Sequence, residues 1–156
     1  MDKKIKIVDD FIYQGLGFPI KLEKVEMVKI DAEWHPKIDV RKVADLAIKT
    51  LISRHERLTG NQIKFIRSYF SMSLREFAQE VVHESHTAVA KWEASLDEIT
   101  KMDINIELIL RLYVIEHLES KTIKQQSKFY AKYCELKKLC LSDREPSQLN
   151  LGGLFA

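Results

Sequence analysis

The stretch LTGNQIKFIRSYFSMSLREFAQEVVHESHTAVAKWE, from Leu58 to Glu93, restricts the folds open to this chain more than any other. It reads as three short helices in a row. Ile63, Ile66 and Phe70 recur three and four residues apart, which places them on one face of a helix from Thr59 to Phe70. Ser73-Leu74-Arg75-Glu76 then has the Ser-x-x-Glu form of a capping box, in which each side chain covers the other residue's exposed backbone N–H. That box opens a second helix, with Phe77, Ala78 and Val81 or Val82 as its apolar residues. After a polar break at His83-Glu84, Ser85 is an N-cap for a third helix ending at Glu93, with Val89 and Trp92 facing inward.

Two short helices separated by a turn follow the helix-turn-helix plan, whose second member lies in the DNA major groove. The segments LTGNQIKFIR, SLREFA and TAVAKWE resemble the helix-turn-helix of phage Cro-like (XRE-type) repressors. Within that group they are most similar to the DNA-binding domain of MqsA-type antitoxins, over about Leu58 to Arg111. The resemblance implies a lambda-repressor-like helical core and, from the antitoxin side, a repressor of its own operon. Leu74 stands where the family usually has a glutamine, the turn is one residue longer than usual, and it lacks glycine. The cysteine zinc module that MqsA-type proteins carry at the N-terminus has no counterpart here. On the helix-turn-helix plan, His86, Thr87 and Ala88 near the start of the third helix are the candidates for base contact. Ser73, Arg75, Ser85 and Lys91 are the candidates for phosphate contact, which fixes register without reading sequence.

The flanks are read from periodicity. Residues 1–57 form an accessory or partner-binding region, β-rich at first. Val28, Ile30, Ala32 and Trp34 alternate with polar residues up to His35, Ile20 and Leu22 make a shorter alternation, and Ile5 with Ile7 a third. Gly15-Leu-Gly-Phe-Pro19 marks a turn between them. The expectation is a small antiparallel meander, one edge of which could accept a partner's strand. Asp39 caps a helix from Val40 to about His55, and Arg54-His55-Glu56-Arg57 at its end reads as solvated surface. The helix-turn-helix domain proper is expected over 58–119, closing with an apolar helix from Asp103 to Glu119 on which Glu107 and Arg111 form an i,i+4 pair.

Residues 120–141 read as a basic C-terminal helix. From Lys121 to Cys140 there are six lysines (121, 124, 128, 132, 137, 138) against Glu135, with a stripe of Phe129, Tyr133, Leu136 and Cys140, and either this stripe or the apolar helix from Asp103 to Glu119 could build a dimer interface. Residues 142–156 read as a flexible tail, from Pro146, Gly152 and Gly153.

Composition narrows the function classes. Net charge +2 and a pI near 8.4 are too mild to demand a nucleic-acid partner or to exclude one. The two cysteines, Cys134 and Cys140, make neither a disulfide framework nor a CxxC, and suit a reducing cytoplasm. No apolar run has the length of a membrane span. His83-Glu84-Ser85-His86 has its histidines three apart across a turn, not four apart on one helix as HExxH requires, and no Gly-rich phosphate loop precedes a helix. The expected protein is therefore no enzyme and binds neither metal nor cofactor. It is a mainly α chain with an N-terminal β-meander (α+β), a cytoplasmic, sequence-specific DNA-binding repressor acting as a homodimer on double-stranded operator DNA. A cognate toxin is the expected protein partner, and no membrane is involved. The competing expectation is a protein-interaction module that keeps the helical scaffold without DNA readout.

Overall fold

A computed structural model describes residues 4–118 and 146–153, together with residues 131 and 135. The expected basic helix over 120–141, with its aromatic stripe, lies outside the described residues apart from those two positions. The architecture is mixed: a small sheet and several helices, divided between residues 1–50 with 148–156 and residues 51–147. The division falls inside a helix, between Thr50 and Leu51, and not after Arg57.

The sheet is an antiparallel meander, β1 (Ile5–Tyr13), β2 (Ile20–Ile30) and β3 (Glu33–Lys37), with β2 in the middle. Gly17, at φ +94°, closes the β1–β2 turn by donating to the Gln14 carbonyl at 3.1 Å. The alternation from Val28 to His35, read above as one strand, is two. Asp31 and Ala32 both take positive φ (46° and 70°), the geometry of a tight hairpin, and Ile30 then faces Glu33 across it. The apolar–polar alternation of the sequence runs on through the turn, so period alone does not reveal the reversal, although pairing of Lys29 with Trp34 and of Val28 with His35 sets Trp34 on the face opposite Val28 and Ile30. Phe18, Ile20, Leu22, Val25 and Met27 are buried. Burial changes parity at Glu23-Lys24, opposite Asp10, whose φ of 53° interrupts the ladder.

The stretch 146–153 corrects the expectation of a flexible tail. Leu149–Asn150 forms β4, parallel to β2 and paired with Ile20 and Lys21, and Leu149 is 3% exposed. The Leu151 N–H donates to the Lys21 carbonyl and the Lys24 N–H to the Gly153 carbonyl. β3 covers only Glu26 to Ile30 of β2's far side, so Ile20 and Lys21 would otherwise have unpaired backbone there.

Helix α1 (Val40–Ser53) starts with Asp39 accepting the Lys42 N–H at 3.1 Å, and Val43, Ala47 and Leu51 are buried on one side. In the helical unit, α2 (Gly60–Tyr69) begins at Thr59 with a full capping box to Gln62. α3 (Leu74–Phe77) begins at Ser73 with the expected box to Glu76, and continues into a π-helical turn, Ala78–Val82. α4 (His86–Glu93) begins at Ser85, and α5 (Ile104–Leu118) follows a tight connection. That connection folds against the start of α2: Thr59 bridges Ile99, and the Gly60 and Asn61 N–H groups donate to the Glu98 and Leu96 carbonyls.

Candidate functional site

The three-helix stretch fixes α4 from several directions. Val89 is fully buried and Trp92 is 9% exposed, and burial of two such side chains contributes roughly 1.5–3 kcal/mol each. Arg67 of α2 holds Glu93 at the far end of α4 with two hydrogen bonds, 2.6 and 3.2 Å, while also donating to the Met72 carbonyl. Gly60 lets the two helices approach closely. A Cβ there would stand 2.5 Å from the Trp92 carbonyl oxygen and 2.7 Å from that of Glu93.

With Val89 and Trp92 inward, the helical turn directs His86, Thr87, Ala90 and Lys91 outward, and all four are exposed. Of the expected base-contact residues, His86 and Thr87 therefore lie on the open face, whereas Ala88 is half-buried and offers less of its methyl group. Among the expected phosphate contacts, Arg75 and Lys91 are exposed. Ser73 and Ser85 are exposed too but already cap helices, accepting from the Glu76 N–H at 3.2 Å and the Ala88 N–H at 3.1 Å. A hydroxyl that accepts in a cap keeps its own proton to donate.

The turn between α3 and α4 has a definite geometry. Its extra residue is absorbed by the π-helical segment, where both the His83 and Glu84 N–H groups reach the Ala78 carbonyl. His83 takes φ +54°, the left-handed position that glycine usually fills and that histidine visits more readily than β-branched residues do. Phe77, Ala78, Val81 and Val82 all remain buried through this widened turn.

Charge on the exposed side is balanced. Arg67 and Glu93 neutralise each other internally, leaving exposed Lys64, Arg75 and Lys91 against exposed Glu76, Glu80 and Glu84. Such a surface attracts phosphate weakly as a single copy.

A second polar cluster lies buried, and the sequence reading placed part of it at the surface. Arg57, read as solvated, has a side chain only 8% exposed. Its Nε donates at 3.0 Å to Glu107 Oε1, which also accepts the Leu58 N–H at 3.0 Å, and its Nη2 donates to the Met102 carbonyl. Glu107 Oε2 accepts from Arg111 Nη2 at 3.2 Å, and both side chains are fully buried. Arg111 also donates to the carbonyls of Ile52 (3.1 Å), Arg54 (2.6 Å) and Glu56 (2.7 Å), covering the carbonyl groups left open at and beyond the end of α1. Burial pushes the Arg111 guanidinium below its ordinary value, and Glu107 opposes that shift. Arg54 is lowered by burial in the same way, opposed by Glu56. The Ser147 hydroxyl, donating at 2.8 Å, holds the Glu56 carboxyl below its usual range.

The signal for this cluster was present: Glu107, Leu110, Arg111, Val114 and Ile115 follow helical spacing, so the two charges sit inside the apolar stripe. The cluster's donors converge on backbone carbonyls and one shared carboxylate, which is a structural brace. Among the described residues, no group of three or more His, Cys, Asp or Glu could hold a metal ion, and no helix is long and apolar enough to cross a membrane. Comparison with protein-family models, with curated proteins and with solved structures gives no match.

Proposed function

We propose that this chain is a sequence-specific DNA-binding repressor that acts as a homodimer, with Leu58–Glu93 as a helix-turn-helix reading head. One observation carries the reading: α4 is anchored along Val89, Trp92 and Glu93 and presents His86, Thr87 and Lys91 outward from its capped end. A rigidly held short helix with hydrogen-bonding side chains at its exposed start is what major-groove readout requires. Thr87 offers a hydroxyl and a methyl group to base edges, and His86 a ring nitrogen. Arg75 and Lys91 supply phosphate contacts. The balanced surface charge is the reason for the dimer, because two copies double the phosphate contacts and place two reading helices on successive turns of the groove, roughly 34 Å apart. Repression of its own operon, partnership with a toxin and action in the cytoplasm extend the proposal on the strength of the resemblance in Leu58–Arg111.

The test is a salt titration of DNA binding. Two cations per copy in a dimer predict a slope of log K against log salt of roughly −3 to −4, and Lys91→Ala should flatten it by nearly two units. The balanced exposed charge also favours a protein-interaction module. Weak binding with a slope near zero, unchanged in Lys91→Ala, would decide for that alternative.

A further inference from the structure

The edge of β2 that faces away from β1 is covered in two separate pieces. β3 pairs with residues 26–30, and residues 149–153 lie along residues 20–24. β1 and β3 are each joined to β2 by a short turn, whereas the second piece comes from far along the chain and no turn ties it to β2. Its hold is small. Among residues 146–153 Leu149 alone is buried, at 3% exposed, while Asn150 and Gly153 are exposed and Leu151 and Gly152 half-buried. The ladder is two residues long, Ile20 with Leu149 and Lys21 with Asn150. Two further backbone bonds extend it, from the Leu151 N–H to the Lys21 carbonyl at 3.1 Å and from the Lys24 N–H to the Gly153 carbonyl at 3.2 Å. Pairing of this kind is how sheets take up segments of other proteins, with main-chain bonds supplying affinity and side-chain pockets specificity.

We propose that the edge of β2 along residues 20–24 is a docking site for an extended segment of another protein, and that residues 149–153 fill it in cis until such a segment displaces them. The occupant already in place defines the partner's chemistry. The incoming segment runs parallel to β2 and carries a leucine where Leu149 stands, because that position is enclosed. It keeps a backbone N–H at the position of Leu151 and a carbonyl at that of Gly153, the two groups that bond to Lys21 and Lys24. It has asparagine after the leucine, since Asn150 Oδ1 accepts the Gly152 N–H at 2.9 Å and sets the bend that follows. It ends in two glycines, because Gly152 and Gly153 take φ of +63° and +66°, a region that glycine enters freely and other residues at a cost. The partner segment is therefore of the form Leu-Asn-x-Gly-Gly. β2 lies outside Leu58–Glu93, so this site and the DNA reading head stand or fall separately.

Fluorescence anisotropy of a labelled peptide of residues 147–153, titrated with the full chain, tests this. A tethered segment competes at an effective concentration on the order of millimolar, so the wild type should take up little peptide. Leu149→Asp in the full chain disables the tethered segment and should bind the peptide at least ~10-fold more tightly than wild type. Leu151→Pro removes the N–H that Lys21 accepts but leaves Leu149 in place. It should act in the same direction, and it carries the test if circular dichroism shows Leu149→Asp unfolded. A peptide with Leu149→Asp should bind neither variant, and one with Gly152→Val/Gly153→Val should bind at least ~10-fold more weakly than the native peptide. Folded variants that ignore the native peptide, that bind it no better than wild type does, or that bind the Leu149→Asp peptide equally would each overturn the proposal. A wild-type dimer that Leu149→Asp dissolves would overturn it too, because the edge would then belong to the same segment of a second copy.

Discussion

Glu107→Ala removes the carboxylate that two buried arginines share. The side chain accepts three hydrogen bonds, from Arg57 Nε at 3.0 Å, the Leu58 N–H at 3.0 Å and Arg111 Nη2 at 3.2 Å. An exposed i,i+4 ion pair on a helix contributes only about 0.3–0.5 kcal/mol. Here both members are 0% exposed, so the dominant cost is two like charges left in the interior without a counterion. Breaking a buried pair from one side costs about 3–5 kcal/mol, a large share of the roughly 5–15 kcal/mol that holds a domain together. Arg111 keeps its bonds to the carbonyls of Ile52, Arg54 and Glu56, which places the expected value toward the lower end, about 3 kcal/mol. Urea unfolding followed by Trp92 fluorescence in a Trp34→Phe background reads the helical unit selectively. Glu107→Gln should fall between alanine and wild type, because the amide keeps one acceptor but turns a donor toward a guanidinium. A cost below about 1 kcal/mol for Glu107→Ala would refute the reasoning, since that is the magnitude of a solvated pair.

The remaining predictions are smaller or more local. Ser73→Ala and Ser85→Ala should each cost about 1 kcal/mol in urea unfolding through loss of an N-cap. Gly60→Ala should cost about 1–3 kcal/mol or more by overpacking, because the new Cβ meets the backbone of α4 and not a movable side chain. His83→Gly should stabilise by about 0.5–1 kcal/mol, as measured by thermal unfolding, by relieving a left-handed residue. Glu56 contributes a pH dependence of stated sign. Its folded value lies below the ordinary 4.5, so its stabilisation is complete above that value and is lost as pH falls through the lower folded value. Unfolding midpoints across the acid range should lose that limb in Glu56→Gln and part of it in Ser147→Ala, whose hydroxyl is the leading cause of the shift.

Local structure in the helical stretch was legible because its signals are short-range. Ser73, Ser85 and Asp39 announce helix starts through bonds to residues three positions on, and Phe77, Val81, Val89 and Trp92 lie inward where spacing puts them. What escaped depends on long-range partners. Arg57 looks like any basic residue after a helix until Glu107, fifty positions later, is brought beside it. Leu149 finds a place in the sheet only because β3 is too short to cover all of β2. The reversal at Asp31-Ala32 was hidden by an alternation that passes through it unchanged. At the candidate site, the exposure of His86, Thr87 and Lys91 followed from helical period, whereas the π-helical turn that absorbs the extra residue before α4 has no simple sequence signature.

Whether the start of α4 reads base sequence is measured by fluorescence anisotropy. Duplex DNA from this gene's own upstream region would be compared with a scrambled duplex, using wild type, a His86→Ala/Thr87→Ala double variant and Lys91→Ala. A reading head at α4 should prefer the native duplex by at least ~10³-fold, lose that preference in the double variant, and bind both duplexes more weakly alike in Lys91→Ala. Equal, weak binding of both duplexes, unaltered by either variant, would contradict it.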